Sequence, residues 1–411
     1  MPVNEQHLDR YAELIVKVGA NVQPGQKVVF QAPVTAAPFA ARVVRKAYEA
    51  GAMVVLMDWM DSDEIIRHKF ELAPDEAFDW YPMWRAKGLE EMVDDNAAVI
   101  QIYIPNPDLY EGIDPSRVAA ANRARLKALE RYRKRLMNDD ASWCLFSIPS
   151  PVWAKRIFPE LDEAEAVESL WSLVLSMTRA DLDDPVKAWR EHLDALGRRR
   201  DRLNARRYRK LHYKSAHVDL SIELPEQHLW ISADARNGKG TAFVPNIPTE
   251  EVFTLPLKTG VNGVVHGTMP LNYRGSLIEN FRLEFKDGRI VNYRAEKGEE
   301  ALRNLLDTDE GSRYLGEIAL VPYDSPISRT GKIFYNTLFD ENASCHLAIG
   351  AAYPTTLKGG REMDGEALRA AGANESMVHE DFMIGSADLS IDGELADGTR
   401  EPVFRNGNWA E

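Results

Sequence analysis

The chain has 411 residues, of which 45% are hydrophobic and 28% are charged, as in a soluble globular protein long enough for two domains. Its formal net charge of −14 at pH 7 argues against nucleic acid or a membrane surface as a general partner. The two cysteines, Cys144 and Cys345, are too few for a disulfide framework or a thiolate-rich zinc site.

The first predicted elements form a β-α-β unit. Apolar residues from Leu8 to Val16 recur at the spacing of an amphipathic helix. Pro24-Gly25 makes a turn into the apolar strand KVVFQ, and a helix that ends at Gly51 separates it from the strand MVVLMDW. A strand, a helix and a second strand in this order are typical of a parallel sheet.

Helical segments then alternate with two further apolar runs, AAVIQIYIP (97–105) and SWCLFSIP (142–149). Asp114-Pro115 is a good start for a long helix, and helices dominate again from about residue 162 to residue 208. The basic run Arg198–Lys210 has leucines within helical reach, so we interpret it as the solvent face of a helix. Strands separated by helices imply a mostly parallel sheet with helices on its faces.

The pattern changes from His212 onward. HVDLSIEL alternates between apolar and polar residues, and Asp287-Gly288 within FKDGRI is a strong hairpin signal. We therefore place a domain boundary near residue 210. The predicted fold class is α/β, with a mostly parallel sheet and flanking helices in residues 1–210 and a β-rich α+β domain in residues 211–411.

Several standard catalytic motifs are absent from the sequence. It contains no GxGxxG, no GxxxxGK[ST] phosphate loop and no GxSxG. A nucleotide-binding protein that uses the parallel sheet is therefore a weaker alternative. His379-Glu380 does not begin an HExxH motif, because the fourth residue after His379 is Met383.

Four stretches of the second half place metal-ligand side chains inside or beside apolar segments. They are NIPTEEVFTLP (246–256), YLGEIALVP (314–322), FDENASCHLAIGAAYP (339–354) and VHEDFMIGS (378–386). Buried carboxylates are costly unless a metal or another cation pairs with them. Taken jointly, the four stretches therefore predict a metal site.

Two of these stretches pair an imidazole with a carboxylate. Alternate residues of a strand share a face, so His379 and Asp381 can converge on one ion. These ligand types suit zinc, cobalt or manganese rather than calcium. A chance pair at a strand end is the alternative for this stretch taken alone. Glu341 and His346 suit no single helical face, but a turn between them could bring them together.

The other two stretches also leave alternatives open. Glu250 and Glu251 could instead begin a helix, and Glu317 could instead lie on the surface of an edge strand. A dinuclear hydrolase needs about five or six ligands, commonly with a carboxylate shared between ions about 3.5–4 Å apart. The residues that would fill this set are Glu251, Glu317, Glu341, His346, His379 and Asp381.

These stretches, with LIENF, AEKGEE, DFMIGSADLSIDG, EPVFRNGNWA and the amino-terminal GANVQPGQKVV, resemble the aminopeptidase T and aminopeptidase S family of metal-dependent aminopeptidases. The resemblance covers essentially the whole chain and is densest from Asn246 to the end. It implies two divalent metal ions per subunit (Zn, Co or Mn) and peptide substrates with a free amino terminus. It also implies a homodimer whose active site lies in a large cavity.

The resemblance assigns roles position by position. Glu317 matches the residue credited as general base, and Tyr353 matches the residue that stabilises the tetrahedral intermediate. Taken alone, Tyr353 before Pro354 would be interpreted as a packing residue. The family more often has VHVDF here, but the side chain of Glu380 should face away from the metals. The residues that match metal ligands are Glu251, Glu317, Glu341, His346, His379 and Asp381.

We therefore predict a cytoplasmic metallo-aminopeptidase that releases amino-terminal residues through a water activated by two metal ions. The location is expected because the sequence has no apolar signal core and no run of about 18 apolar residues. A dinuclear hydrolase of another amide, such as a dipeptidase, and an inactive metal-binding scaffold are the alternatives. Glu250 and Asp340 are candidates for binding the substrate's ammonium group, and we expect Cys345 to be a packing residue rather than a nucleophile.

Overall fold

The computed structural model describes residues 4–106, 108–273 and 276–410. Its α-helices are α1 (Glu5–Leu14), α2 (Ala37–Glu49), α3 (Asp63–Leu72), α4 (Met83–Asp94), α5 (Pro115–Ala128), α6 (Glu130–Met137), α7 (Pro151–Ile157), α8 (Glu163–Met177), α9 (Pro185–Arg206), α10 (Glu299–Leu306), α11 (Thr337–Asp340) and α12 (Gly365–Ala370). None of these described helices is both long and apolar enough to cross a membrane.

The strands of the described residues are short and lie mostly in the second half of the chain. They are β1 (Lys27–Pro33), β2 (Val54–Met60), β3 (Ala98–Ile102), β4 (Trp143–Phe146), β5 (Lys210–Lys214), β6 (Val218–Glu223), β7 (Ile231–Ser232), β8 (Ala235–Arg236), β9 (Ala242–Phe243), β10 (Asn246–Ile247), β11 (Val252–Thr254), β12 (Val261–His266), β13 (Leu271–Tyr273), β14 (Ser276–Ile278), β15 (Arg282–Lys286), β16 (Arg289–Arg294), β17 (Leu315–Leu320), β18 (His346–Gly350), β19 (His379–Met383), β20 (Ser390–Glu394), β21 (Arg400–Arg405) and β22 (Asn408–Trp409).

The chain forms two compact units, and neither is a continuous piece of sequence. The first unit consists of Met1–His192 and Asp234–Pro248. The second unit consists of Leu193–Ala233 and Thr249–Glu411. A boundary between functional domains near residue 210 stays a prediction.

The first unit is built on a parallel sheet with strand order β10-β4-β3-β1-β2. Helices cover both faces of this sheet, which is why its central strands are apolar along almost their whole length. On one face, Tyr11 of α1 and Phe39 of α2 contact Phe146 of β4. On the other face, Val93 of α4 packs in a cluster with Val29 of β1. The predicted parallel sheet with flanking helices is confirmed.

The described residues of the second unit form two large antiparallel sheets and the two-stranded sheet β13-β14 around one core. The larger sheet has the order β16-β15-β12-β6-β5-β20-β21-β22, and the smaller has the order β19-β18-β17-β11-β7. Leu220 of β6, Ile318 of β17 and Leu347 of β18 belong to the same buried apolar cluster. Strands β17 and β18 are buried along their whole length, so any polar side chain on them is buried as well. The predicted β-rich second part is confirmed.

Helix α9 carries most of the basic run that stands out in the sequence. Leu196 and Leu203 are buried in the core of the second unit, while Arg198 and Arg202 are exposed. The interpretation of this run as the solvent face of a helix is confirmed as far as the end of α9.

Gly350 provides a test of the strand geometry, because it ends β18 opposite His379 with a φ of +108°. A Cβ atom at this position would lie 2.1 Å from the carbonyl oxygen of Val378. We expect Gly350→Ala to lower the free energy of unfolding by about 2–5 kcal/mol, because strain from positive φ and overpacking add. Urea unfolding followed by circular dichroism measures this change.

Gly331→Ala is the matched control for this substitution. Gly331 has a φ of +64°, but no heavy atom lies within 4 Å of an added Cβ. Only the backbone strain of about 1–2 kcal/mol should remain there. Equal losses of stability in the two variants would contradict the steric argument for Gly350.

Candidate metal centre

One face of the smaller antiparallel sheet carries five of the predicted ligands. Residues opposite one another on antiparallel strands project to the same face. Glu317 on β17 pairs with Ala348 on β18, which pairs with Asp381 on β19. His346 and His379 lie two residues from Ala348 and Asp381, so they share this face. We call this side of the sheet the ligand face.

Glu251 joins the ligand face just before β11. Val252 pairs with Leu320, which lies an odd number of residues from Glu317 and therefore points to the opposite face. Glu251, one residue earlier, points to the ligand face. The helix start that TEEVF could have formed is not present, because β11 begins at Val252. The opposite face consists of core residues, which include Val252, Ile318, Leu320, Leu347 and Phe382.

The ligand atoms on this face form two groups that share Glu317. In the first group, His346 Nε2 lies 3.3 Å from Glu251 Oε2 and 3.5 Å from Glu317 Oε1. In the second group, His379 Nε2 lies 3.7 Å from Glu317 Oε2 and 3.6 Å from Asp381 Oδ1. Within each group the ligand atoms lie within 4.8 Å of one another. Glu317 therefore gives one carboxylate oxygen to each group.

Both histidines are oriented by backbone carbonyl groups. His379 Nδ1 lies 2.7 Å from the carbonyl oxygen of Ala351, and His346 Nδ1 lies 3.3 Å from that of Ser344. A carbonyl oxygen can only accept, so Nδ1–H is the donor in each case and Nε2 faces the carboxylates. Metal-binding histidines show this arrangement, in which the other ring nitrogen donates to a carbonyl or a carboxylate.

Burial and neighbouring charges shift the pKa values of the cluster. Burial raises the pKa of the Glu317 carboxyl above its usual value, although the hydrogen bond with His346 opposes this. Burial also raises the pKa of Glu341 well above its usual value, and the charge of Asp381 adds to this effect. For His346, burial would lower the pKa, but the surrounding carboxylates raise it well above its usual value. Without a metal ion, Glu317, Glu341 and His346 therefore hold their protons more tightly than they would in water.

The donor set fits a divalent metal ion. Oδ1 of Asp381 is buried and has no hydrogen-bond partner in the part of the chain that the structure describes. A buried carboxylate oxygen without a donor costs free energy unless a cation lies against it. Carboxylate oxygens and imidazole nitrogens around one point are ligands of divalent transition metals.

Glu341 is the one predicted ligand that belongs to neither group, although all six are described. It begins a short 3₁₀ turn, Glu341–Ala343, just before His346. Burial raises the pKa of its carboxyl, and the nearby charges of Asp381 and Glu251 raise this pKa further. Glu341 therefore lies beside the cluster. The structure therefore brings five of the six residues together and leaves Glu341 next to them.

Tyr353 lies against the second ligand group. Its ring meets the ring of His379 edge-on with centroids 4.8 Å apart, and it contacts Phe253 at 6.2 Å. Burial raises the pKa of the Tyr353 hydroxyl well above its usual value, and the charge of Glu317 adds to this. The phenol therefore keeps its proton beside the carboxylates.

Two other residues of this region have structural contacts. The Asp340 carboxylate accepts the backbone N–H groups of Phe334 at 2.8 Å and Asn336 at 3.0 Å, and burial raises its pKa to about 7. Asp340 thus stabilises the loop before α11. Cys345 is buried in the core with Sγ 3.3 Å from the carbonyl oxygen of Val321, as expected for a packing residue.

The sequence analysis missed the polar side chains that hold the segment before His379. Asp309 accepts a hydrogen bond from the backbone N–H of Met377 at 2.6 Å. Asn374 Nδ2 donates to the carbonyl oxygen of Gly350 at 2.6 Å. Their sequence signal is weak, because Asp and Asn in loops are equally common in ordinary turns.

The shifted pKa values predict how the metal-stripped protein responds to pH. His346 binds its proton more tightly when folded, so its contribution to stability is present below about pH 6.5 and is lost as the pH rises through its folded pKa. The raised pKa values of Glu317 and Glu341 act in the same direction from lower pH upward. We expect the free energy of unfolding, measured in urea, to fall as the pH rises above about 6.5.

The same protein saturated with a divalent metal ion is the control for this pH series. Bound ions hold the ligands deprotonated, so the fall in stability should shrink or reverse. Groups away from the cluster contribute equally to both forms, so their pH dependence cancels in the comparison. His228 is one such group, because burial lowers its pKa. A metal-stripped protein that gains stability toward high pH relative to the loaded one would contradict the argument.

Comparisons with known proteins point to one family. The family described as thermophilic metalloprotease (M29) matches residues 4–409. Aminopeptidase 2 of Geobacillus stearothermophilus is 51% identical over 407 residues, which cover 99% of this chain and 98% of the relative. Aminopeptidase T of Thermus thermophilus is 42% identical over 409 residues, which cover 100% of both chains. The solved structure of wild-type AmpT from Thermus thermophilus aligns with a TM-score of 0.94 at 41% identity, covering 99% of this chain and 100% of that one.

These matches extend over almost the whole chain, including both compact units. The family resemblance drawn from the sequence is therefore confirmed, and so is the fold class. Clustered carboxylate and imidazole ligands agree with the metal dependence of this family. The chain belongs to the thermophilic metalloprotease family and is a metal-dependent peptide hydrolase.

Proposed function

We propose that this protein is a cytoplasmic aminopeptidase that uses two divalent metal ions to release single amino-terminal residues from peptides. The names of its relatives, aminopeptidase 2 and aminopeptidase T, support cleavage at a free amino terminus. The observation that carries the pair of ions is Glu317, whose two carboxylate oxygens lie in different ligand groups. A carboxylate shared in this way commonly bridges the ions of a dinuclear hydrolase.

In this proposal the two groups on the ligand face hold one ion each. Glu251 and His346 would hold the first ion, His379 and Asp381 would hold the second, and Glu317 lies within reach of both. Glu341, beside both groups, completes the set of six. Zinc, cobalt and manganese all suit these ligands. When bound, the ions polarise the scissile carbonyl group and lower the pKa of a water molecule toward neutrality.

Glu317 and Tyr353 supply the remaining chemistry from the chain. The Glu317 carboxylate, which lies between the two groups, takes a proton from the attacking water and passes it to the leaving amine. Tyr353 keeps its proton because burial and nearby carboxylates raise its pKa. Its hydroxyl can therefore donate a hydrogen bond to the oxyanion of the tetrahedral intermediate.

Two further parts of the proposal concern the location and the subunit assembly. Both cysteines are free and buried, which is compatible with a reducing cytoplasm. The first unit exposes large apolar side chains on and near its edge strand β2, which include Leu56, Trp59, Trp80 and Trp84. Such a surface is typical of a protein–protein contact, and it supports the homodimer that the family resemblance implies.

Two alternatives use the same metal centre. A dipeptidase would cleave dipeptides but lose activity on longer peptides, whereas an aminopeptidase tolerates a longer chain after the cleaved bond. An inactive scaffold would bind metal without hydrolysing any peptide. A series of unblocked peptides of increasing length therefore separates the three functions.

Glu317→Gln tests the shared carboxylate. We expect it to lower kcat/KM for unblocked peptides by about 10²–10⁴-fold, because the variant loses both the bridging charge and the proton acceptor. The number of ions bound per subunit should also fall.

Wild-type protein, stripped and reloaded in turn with Zn, Co and Mn, should release amino-terminal residues from free-amine peptides and leave acetylated ones intact.

Glu380→Gln is the matched control, because Glu380 lies between His379 and Asp381 on β19 and projects to the opposite face. It should keep near wild-type activity and metal content. Cleavage of acetylated and free peptides at equal rates would reject the aminopeptidase, and full activity of Glu317→Gln would reject its proposed role.

Tyr353→Phe tests the proposed hydrogen bond to the oxyanion. The variant keeps the ring contacts with His379 and Phe253 but loses the hydroxyl donor. We expect kcat to fall by about 10²–10³-fold, with KM and metal content unchanged. Tyr293→Phe, on β16 of the larger sheet, removes a hydroxyl elsewhere and should have no such effect. A loss of metal from Tyr353→Phe would indicate a structural role instead.

A further inference from the structure

The turn that carries Glu341 is anchored on both sides of this residue. Asp340 binds the backbone N–H groups of Phe334 and Asn336. On the other side, Ser325 Oγ donates a hydrogen bond to the carbonyl oxygen of Ala343 at 3.2 Å. These contacts restrict the backbone, so the direction of the Glu341 side chain depends on the groups that touch it.

Asn342 is the residue that connects Glu341 to the rest of the metal centre. It is fully buried, and its Oδ1 accepts the backbone N–H of Glu250 at 2.7 Å. Its Nδ2 donates to the carbonyl oxygen of Leu338 at 3.1 Å and to Glu341 Oε1 at 3.4 Å. One carboxamide thus joins the residue next to Glu251 to the Glu341 carboxylate.

The chemistry of a carboxamide suits this position. It offers an acceptor to a backbone N–H on one side and a donor to a carboxylate on the other, and it carries no charge. A lysine or arginine beside Glu341 would compete with a metal ion for the carboxylate. An aspartate would repel the carboxylate and could not donate to it.

We propose that Asn342 is a positioning residue of the metal centre, whose carboxamide orients Glu341 relative to Glu251 so that both carboxylates reach the ions. This inference rests on the proposed dinuclear function. Asn342 is not itself one of the proposed ligands, and it acts through the 3.4 Å contact with Glu341 and the 2.7 Å contact with the Glu250 backbone.

The competing explanation is that Asn342 only satisfies a buried backbone group. Removing its side chain would leave the N–H of Glu250 without its acceptor, which costs about 1–3 kcal/mol whatever the function of Glu341. Loss of stability therefore cannot separate the two explanations. They differ in whether the effect on metal binding passes through the Glu341 carboxylate.

A double-mutant cycle in metal affinity separates them. The full-length wild type, Asn342→Ala, Glu341→Gln and the double variant are titrated with zinc by calorimetry, and bound ions are counted by elemental analysis. We expect each single variant to weaken zinc binding by about 10–100-fold. The double variant should bind within about twofold of Glu341→Gln alone, because the effect of Asn342 passes through Glu341.

Urea unfolding of the metal-stripped variants shows whether they fold, and Asn342→Ser replaces the alanine variant if that one does not. Asn237→Ala is the control for losing a buried asparagine, since Asn237 bonds to Ser142 within the first unit. It should leave zinc binding unchanged.

Additive effects of the two substitutions, or wild-type zinc affinity in Asn342→Ala, would overturn the inference. A wild-type protein that binds fewer than two ions at saturation would instead overturn the proposed dinuclear function, and the inference with it.

Discussion

A carboxylate that is buried between two imidazoles is the feature on which the metal centre depends. The oxygens of Glu317 lie 3.5 Å and 3.7 Å from the Nε2 atoms of His346 and His379. These contacts do not compensate for the loss of water, because the pKa of Glu317 is still raised by burial. Holding Glu317 ionised therefore requires additional positive charge, which a divalent metal ion would supply.

The antiparallel sheet meets this requirement by using its two faces differently. Side chains that alternate along β17, β18 and β19 pack into the core on one side and present ligands on the other. Glu317 on β17 and Asp381 on β19 both lie opposite Ala348 on β18, so the ligand side chains extend across this small residue toward one another. Each group draws ligands from different segments of the chain, so the ligand geometry depends on the register of the sheet.

The sequence predicted the parts of this centre that are local in the chain. The HxD spacing alone places His379 and Asp381 on one face of a strand. The convergence of Glu251, Glu317 and His346 depends on the register between distant strands, which no local pattern specifies. The resemblance to a known family predicted that these three residues act together, which the local sequence pattern could not do.

Nothing in the sequence marks Asn342 or Asp309 as supports of the metal centre, because asparagine and aspartate are also common in ordinary turns. The fold class followed from the change between helix-separated apolar runs and alternating strands. The sequence pattern did not predict that β10 pairs with β4, because a strand of two residues is too short to show an alternation of apolar and polar residues.

The path of the chain between the two units has a consequence for how the protein is made. Strand β10 completes the parallel sheet of the first unit, yet it follows β5, β6 and β7 of the second unit in sequence. The ribosome therefore synthesises part of the second unit before the last strand of the first sheet is available. Glu251 leaves the ribosome only a few residues after β10, so metal ligands begin to appear as that sheet becomes complete. Neither unit can be produced by cutting the gene at a single point, because each consists of two separate segments of the chain.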